Sequence, residues 1–212
     1  MDMLVLVSGG GTNLQALLDA EKQGRFGDPS PSGRERIARV ARVALVVSDR
    51  PEVYALKRAE AAGVPALTEP VNLLLPPKER RRDLSDRILG IAREWKIGLV
   101  VLAGFLSILE GEFIQAYGGR IINLHPSLLP KFGGPGMYGL RVHRAVLEAG
   151  EKESGCTVHL VDAGTDTGPI LLQRKVPVLP GDTPEDLAER IHREEHIAIV
   201  EAAAMMVKKI KS

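Results

Sequence analysis

The chain is expected to fold as an α/β domain, with a mostly parallel central sheet, helices on both of its faces and an antiparallel pair near the C-terminal end. Short apolar, β-branched runs alternate with helical patterns, which is the signature of βαβ units. The first run, Leu4 to Val7, lacks polar alternation, as a strand buried on both faces does. The last two strand-like stretches, Thr157 to Val161 and Ile170 to Val178, are too close together for a helical crossover, so they pair antiparallel.

Taken in order, the strand Leu4 to Val7 leads into a glycine cluster and then a helix marked by Leu14, Leu17 and Leu18, with Thr12 or Asn13 as its N-cap. Gly27 to Gly33, with two prolines and two serines, reads as a solvated loop. Val43 to Val47 is the second strand. A helix carrying Tyr54, Leu56 and Ala61 is closed by Gly63, and Val64 to Leu67 forms a short third strand. Pro76-Pro77 opens a helix from Lys78 to Trp95, followed by a fourth strand at Leu99 to Leu102 and a short helix from Leu106 to Tyr117. Arg120 to Leu124 is the fifth strand. Pro130 to Gly139 holds four glycines and two prolines and is expected to be a long mobile loop before a helix at Leu140 to Ala149. Thr183-Pro184-Glu185 starts the final helix, whose closing lysines Lys208, Lys209 and Lys211 suit the negative end of a helix dipole.

With 212 residues, 44% hydrophobic and 26% charged, the chain is one domain, 1–212, large enough to bury a core. Its 28 basic and 27 acidic residues leave a net charge of +1, which offers nothing to a nucleic acid and points to small-molecule chemistry. A lone cysteine, Cys156, and a start without a basic segment or long apolar run point to the cytoplasm. The apolar stretch Ile97 to Leu109 is broken by Gly98 and Gly104 and is shorter than the roughly 20 residues a membrane helix needs.

Three segments could carry chemistry. Ser8-Gly9-Gly10-Gly11-Thr12-Asn13 lies between a strand and a helix, where free N–H groups favour a phosphate; a tight turn without a ligand has the same pattern. Leu14 stands where a dinucleotide fingerprint needs its third glycine, and no Gly-Lys-Ser/Thr ending follows, so NAD and ATP are disfavoured. Asn123 and His125, two apart on a strand, share a face just before Pro126; an amide beside an imidazole suits an oxyanion, though a histidine that only fixes a turn has the same spacing. Asp162 and Asp166 lie in a turn-rich stretch, and either carboxylate could hold an imidazole charged or simply form the turn. The histidines follow no zinc spacing, and His192 and His196 lack the glutamate of a zinc protease helix, so no metal is expected.

These residues resemble the phosphoribosylglycinamide formyltransferases of purine synthesis, from Met3 to about Ala203. The likeness rests on Val7-Ser8-Gly9 through Asn13-Leu14-Gln15, Leu102-Ala103-Gly104-Phe105, the block from Asn123 to Pro130, and Asp162 through Gly168-Pro169. It implies a Rossmann-like formyltransferase fold and direct attack of the amine of glycinamide ribonucleotide on the formyl carbon of 10-formyltetrahydrofolate, a co-substrate, without a metal. It further implies small-molecule partners and a monomer or homodimer. By that likeness Asn123, His125 and Asp166 are catalytic, with Asp166 holding His125 charged. Gly11, Thr12, Asn13, His192, Arg193, Glu194 and Glu195 bind the ribonucleotide. Leu106, Ser107, Ile108, Leu109, Asn123, Asp162, Ala163, Gly164, Thr165 and Asp166 bind the folate, with Arg81, or Arg80 beside it, a further cation there. Ser107 stands where the family pattern has arginine, and Gly133 to Gly139 lengthens the loop after the catalytic strand, which is expected to act as a lid.

Other readings are a formyltetrahydrofolate hydrolase, expected to carry an amino-terminal regulatory domain, and a methionyl-tRNA formyltransferase, expected to carry a basic carboxyl-terminal domain. A non-catalytic sensor of ribonucleotide or folate is the reading outside enzymes, motivated by Ser107.

Overall fold

The computed structural model describes residues 1–27 and 41–211. Along the chain lie β1 (Asp2–Val7), α1 (Thr12–Lys22), β2 (Arg42–Ser48), α2 (Tyr54–Ala61), β3 (Ala66–Thr68), α3 (Pro77–Glu94), β4 (Leu99–Leu102), α4 (Glu112–Ala116), β5 (Ile121–His125), α5 (Leu140–Glu148), β6 (Glu153–Leu160), β7 (Ile170–Pro177) and α6 (Pro184–Lys211). The strands form one sheet in the order β3-β2-β1-β4-β5-β6-β7. Pairs from β3 across to β5 are parallel, whereas β6 runs antiparallel to both β5 and β7. The expected α/β class with an antiparallel C-terminal end is the observed one.

The central strands are apolar throughout because both faces of the sheet are covered. Met3, Val5 and Val7 of β1 enter the core shared with α1, α2, α5 and α6, while Leu4 and Leu6 enter the opposite core under α3 and α4. On β5 the same alternation sends Ile122 and Leu124 into the first core. Asn123 and His125 therefore share the other face with Ile121. The long helix α6 packs against α1, α5, β6 and β7, which brings the end of the chain back over its beginning. Among the described residues no helix is long and apolar enough to cross a membrane.

Several boundaries differ from the sequence expectation, for local reasons. The N-cap of α1 is neither Thr12 nor Asn13 but Gly11, which adopts a left-handed conformation and makes no side-chain cap. The third strand starts at Ala66, after Pro65, which has no N–H to give a ladder. The helix expected from Leu106 to Tyr117 is confined to Glu112–Ala116. The residues before it bind the neighbouring strand end instead: the Leu106 N–H donates to Ser8 Oγ (2.8 Å) and the Ser8 N–H to the Gly104 carbonyl (3.1 Å). The loop expected at Gly27 to Gly33 lies, from Asp28 on, outside the described residues.

Phe113 anchors short α4 in the second core, fully buried and stacked on Tyr117 at a centroid distance of 5.4 Å. Phe113→Ala is expected to destabilise the fold by about 3–5 kcal/mol in denaturant unfolding; a loss below about 1 kcal/mol would mean that this core does not depend on the ring.

Candidate active site

A cavity of about 600 Å³ lies at the carboxyl ends of β1, β4 and β5. Strand order reverses between β1 and β4, so the sheet's two halves diverge there and leave the crevice in which open α/β sheets bind ligands. Its wall includes Gly11, Thr12 and Asn13, Leu106 to Leu109, Asn123, His125, Gly164, Thr165, Asp166, His192 and Glu195, all expected from sequence.

Six expected residues, Arg80 as the alternative to Arg81 among them, are not on that wall, and each has a structural reason. On α6 only positions three or four apart share a face, so His192 and Glu195 reach the cavity while the two residues between them do not. Arg193 pairs with Glu189 (2.7 Å) on the exposed side, and Glu194 pairs with Arg174 (2.9 Å). Arg81 is exposed on α3, and Arg80 is spent on the carbonyls of Leu75 and Leu73. Asp162 Oδ1 accepts from the Gly164 N–H (3.0 Å) and the Thr167 hydroxyl (2.6 Å), and so shapes the turn, with Ala163 inside it.

One end of the cavity is built for an anion. Gly11 takes φ +72°, and because no side chain caps α1, the N–H groups of its first turn remain free. Only glycine fits there: a Cβ would stand 2.6 Å from Ala55 Cβ and 2.8 Å from Ala55 Cα. Arg58 holds the adjacent turn by donating to the Gly10 carbonyl (2.8 Å). Asn13 Nδ2 donates to Glu195 Oε2 (3.3 Å), and His192 Nε2 lies 3.8 Å from the same oxygen, which joins α1 to α6 across the cavity mouth. Burial pushes the Glu195 carboxyl above its ordinary range, against the pull of His192 and the Asn13 hydrogen bond.

The other end is a carboxylate between two imidazoles. Asp166 Oδ2 lies 3.4 Å from His125 Nδ1 and accepts from the Gly134 N–H (2.9 Å), while its Oδ1 lies 3.5 Å from His159 Nε2 and accepts from Asn123 Nδ2 (3.4 Å). His159 was not singled out from sequence. It sits directly across from Asn123 in the β5–β6 register, with Asn123 Nδ2 3.1 Å from its Nε2. The alternation of Thr157-Val158-His159 marks a shared face, but the register that aligns it with Asn123 is not written in either strand alone. The backbone of Gly133 passes so near that a Cβ there would stand 3.3 Å from Asp166 Cβ and 2.5 Å from Leu129 Cδ2.

Both expected oxyanion donors are engaged within the protein. His125 Nε2–H donates to the Phe132 carbonyl (2.8 Å), and the Asn123 amide nitrogen faces His159 and Asp166. Burial pulls the His125 imidazole below its ordinary 6.5; Asp166 and the Phe132 carbonyl pull upward without overcoming it. The expectation that Asp166 holds His125 charged is thereby corrected, because here desolvation outweighs the carboxylate. For Asp166 itself burial acts upward, but the His159 hydrogen bond, His125 and the Gly134 N–H carry its carboxyl below the ordinary 3.8, so it is ionised. Ser107 donates to Asp49 Oδ2 (2.6 Å), a buried carboxylate. Among the described residues no group of three or more His, Cys, Asp or Glu is placed to hold a metal ion.

Residues 1–203 match the family described as formyl transferase. The chain is 44% identical over 208 residues to the trifunctional purine biosynthetic protein adenosine-3 of Drosophila melanogaster, covering 96% of this chain but only 14% of that protein's length. It is 36% identical over 196 residues to the phosphoribosylglycinamide formyltransferase of Escherichia coli (strain K12), covering 92% of this chain and 82% of that one. The crystal structure of glycinamide ribonucleotide transformylase 1 from Symbiobacterium toebii superposes with a TM-score of 0.84 at 42% identity, covering 99% of this chain and 88% of that one. The corresponding structure from Geobacillus kaustophilus gives a TM-score of 0.80 at 36% identity, covering 97% and 98%.

Gly11→Ala tests the anion end. A left-handed non-glycine residue costs roughly 1–2 kcal/mol and the clash with Ala55 adds to it, so a clear loss of stability is expected together with a weakening of phosphate-bearing ligands by about tenfold or more in calorimetry. Unchanged binding would place the anion elsewhere.

Proposed function

The chain belongs to the formyl transferase family and within it to the phosphoribosylglycinamide formyltransferases, and from that membership we propose its reaction: transfer of the formyl group of 10-formyltetrahydrofolate to the amine of N1-(5-phospho-D-ribosyl)glycinamide. The products are formylglycinamide ribonucleotide and tetrahydrofolate, in a cytoplasmic step of de novo purine synthesis. The observation that carries the reading is the meeting of Asn123, His125 and Asp166 in one cavity whose far end is an uncapped helix N-terminus.

In this reading the ribonucleotide phosphate takes the free N–H groups at Gly11 to Asn13, and Glu195 and His192 hold the sugar end. The pterin lies against Leu106 to Leu109 and the 162–166 turn; the cavity's volume lies within the usual range of about 300–1,000 Å³ for small-molecule sites.

As the amine bonds to the formyl carbon it gains positive charge and must lose a proton. His125 is neutral with its proton on Nε2, so its free nitrogen is Nδ1, which faces Asp166; the amine proton passes by way of the ionised Asp166 carboxylate to Nδ1, and Asp166 then stabilises the imidazolium. Exchanging the Phe132 carbonyl for the formyl oxygen lets Nε2–H face the developing oxyanion, which gives the loop 130–139 a role as a lid. When the carbon–N10 bond breaks, His125 returns the proton to the departing folate nitrogen.

Purified protein given both substrates is expected to release tetrahydrofolate only when the ribonucleotide is present; release without acceptor would favour a hydrolase, and no release would refute the reading. His125→Ala should lower kcat by roughly 10²-fold or more with little change in ribonucleotide affinity, whereas parallel losses in both would make His125 a structural residue.

A further inference from the structure

His143 lies on α5, is only 2% exposed, lines the same cavity and takes no part in the chemistry above. Its Nδ1 is sealed from solvent without a hydrogen-bond partner, while Nε2, bonded to no described residue, is not among the sealed atoms. Protein interiors seldom leave a polar ring unpaired, because each unmet group forfeits the hydrogen bonds it had in water. Nε2 is the ring nitrogen that a ligand in the cavity can reach, and binding through it would give the unpaired ring its partner.

The position tells which ligand. His143 is within electrostatic reach of His192, on the ribonucleotide side, and of His125, at the reacting centre. Its helix packs on α6, which carries His192 and Glu195. We propose that His143 is a binding residue for the acceptor, hydrogen-bonding the uncharged part of that molecule, sugar hydroxyl or amide, between its phosphate and its amine.

Burial, with smaller contributions from His192 and His125, holds the ring at a pKa of about 4, so it stays neutral under working conditions. A neutral ring neither draws the phosphate away from the helix terminus nor repels the incoming amine. With no protein group fixing its tautomer, it can donate or accept as the ligand requires.

This rests on the proposed reaction, and the test separates the two. The dissociation constants of glycinamide ribonucleotide and of tetrahydrofolate, each added alone, are measured by calorimetry for the wild type, His143→Leu and His143→Asn, alongside thermal unfolding without ligand. His143→Leu is expected to weaken the ribonucleotide by about tenfold or more, equivalent to 1.4 kcal/mol, without weakening tetrahydrofolate and without lowering the ligand-free melting temperature. His143→Asn, which keeps a donor and an acceptor on a shorter arm, should recover part of the loss and carries the comparison if the leucine variant folds poorly. Ribonucleotide binding within about twofold of wild type in both variants, or equal weakening of both ligands, overturns the inference. A wild type that binds tetrahydrofolate but no ribonucleotide overturns the formyltransferase reading itself.

Discussion

The placement of one carboxylate between two buried imidazoles is the constraint around which the reacting end of this cavity is organised. Asp166 can occupy that position because β6 is antiparallel to β5 in a register that sets His159 opposite Asn123, and because the turn after β6 folds back over both strands. A shift of one residue in that register would move His159 to the opposite face of the sheet. The loop after β5 closes the arrangement through two backbone groups, the Phe132 carbonyl on His125 and the Gly134 N–H on Asp166. Position and protonation are thus set by the same few contacts.

The rest of the molecule serves to bring a second, distant binding surface to that centre. The reversal of strand order between β1 and β4 opens the crevice, the uncapped start of α1 supplies unpaired N–H groups at one end, and α6 returns across α1 to place Glu195 against Asn13. The burial that builds this surface also sets its charges. It drives Glu195 toward its neutral form and keeps both His125 and His143 uncharged, so the ionised Asp166 is the pronounced anion of the reacting end.

Much of this was legible in the sequence where a periodicity or a local motif carried it. The alternation of apolar runs and helices placed every strand to within a few residues, and Asn123-Leu124-His125-Pro126 marked the end of a parallel strand because a two-residue period and a proline are local signals. What was not legible depends on partners far along the chain. His159 needed the β5–β6 register, and His143 needed the packing of α5 against α6. The split of the 192–195 run follows from the helical period, which a block likeness ignores. The charge of His125 could not be read either, since it is a contest between a carboxylate and desolvation, and desolvation exists only once the fold is known.

The central claim is that Asp166 couples to His125 and raises its proton affinity, yet burial keeps the ring neutral in the ligand-free chain. Nitrogen-15 NMR titration of the His125 ring, in the wild type and in Asp166→Asn, tests this directly. The account predicts a neutral ring with its proton on Nε2, an apparent pKa below 6.5, and a lower value still once the carboxylate is gone. A pKa above 6.5 in the wild type, or one that does not move in Asp166→Asn, would contradict it.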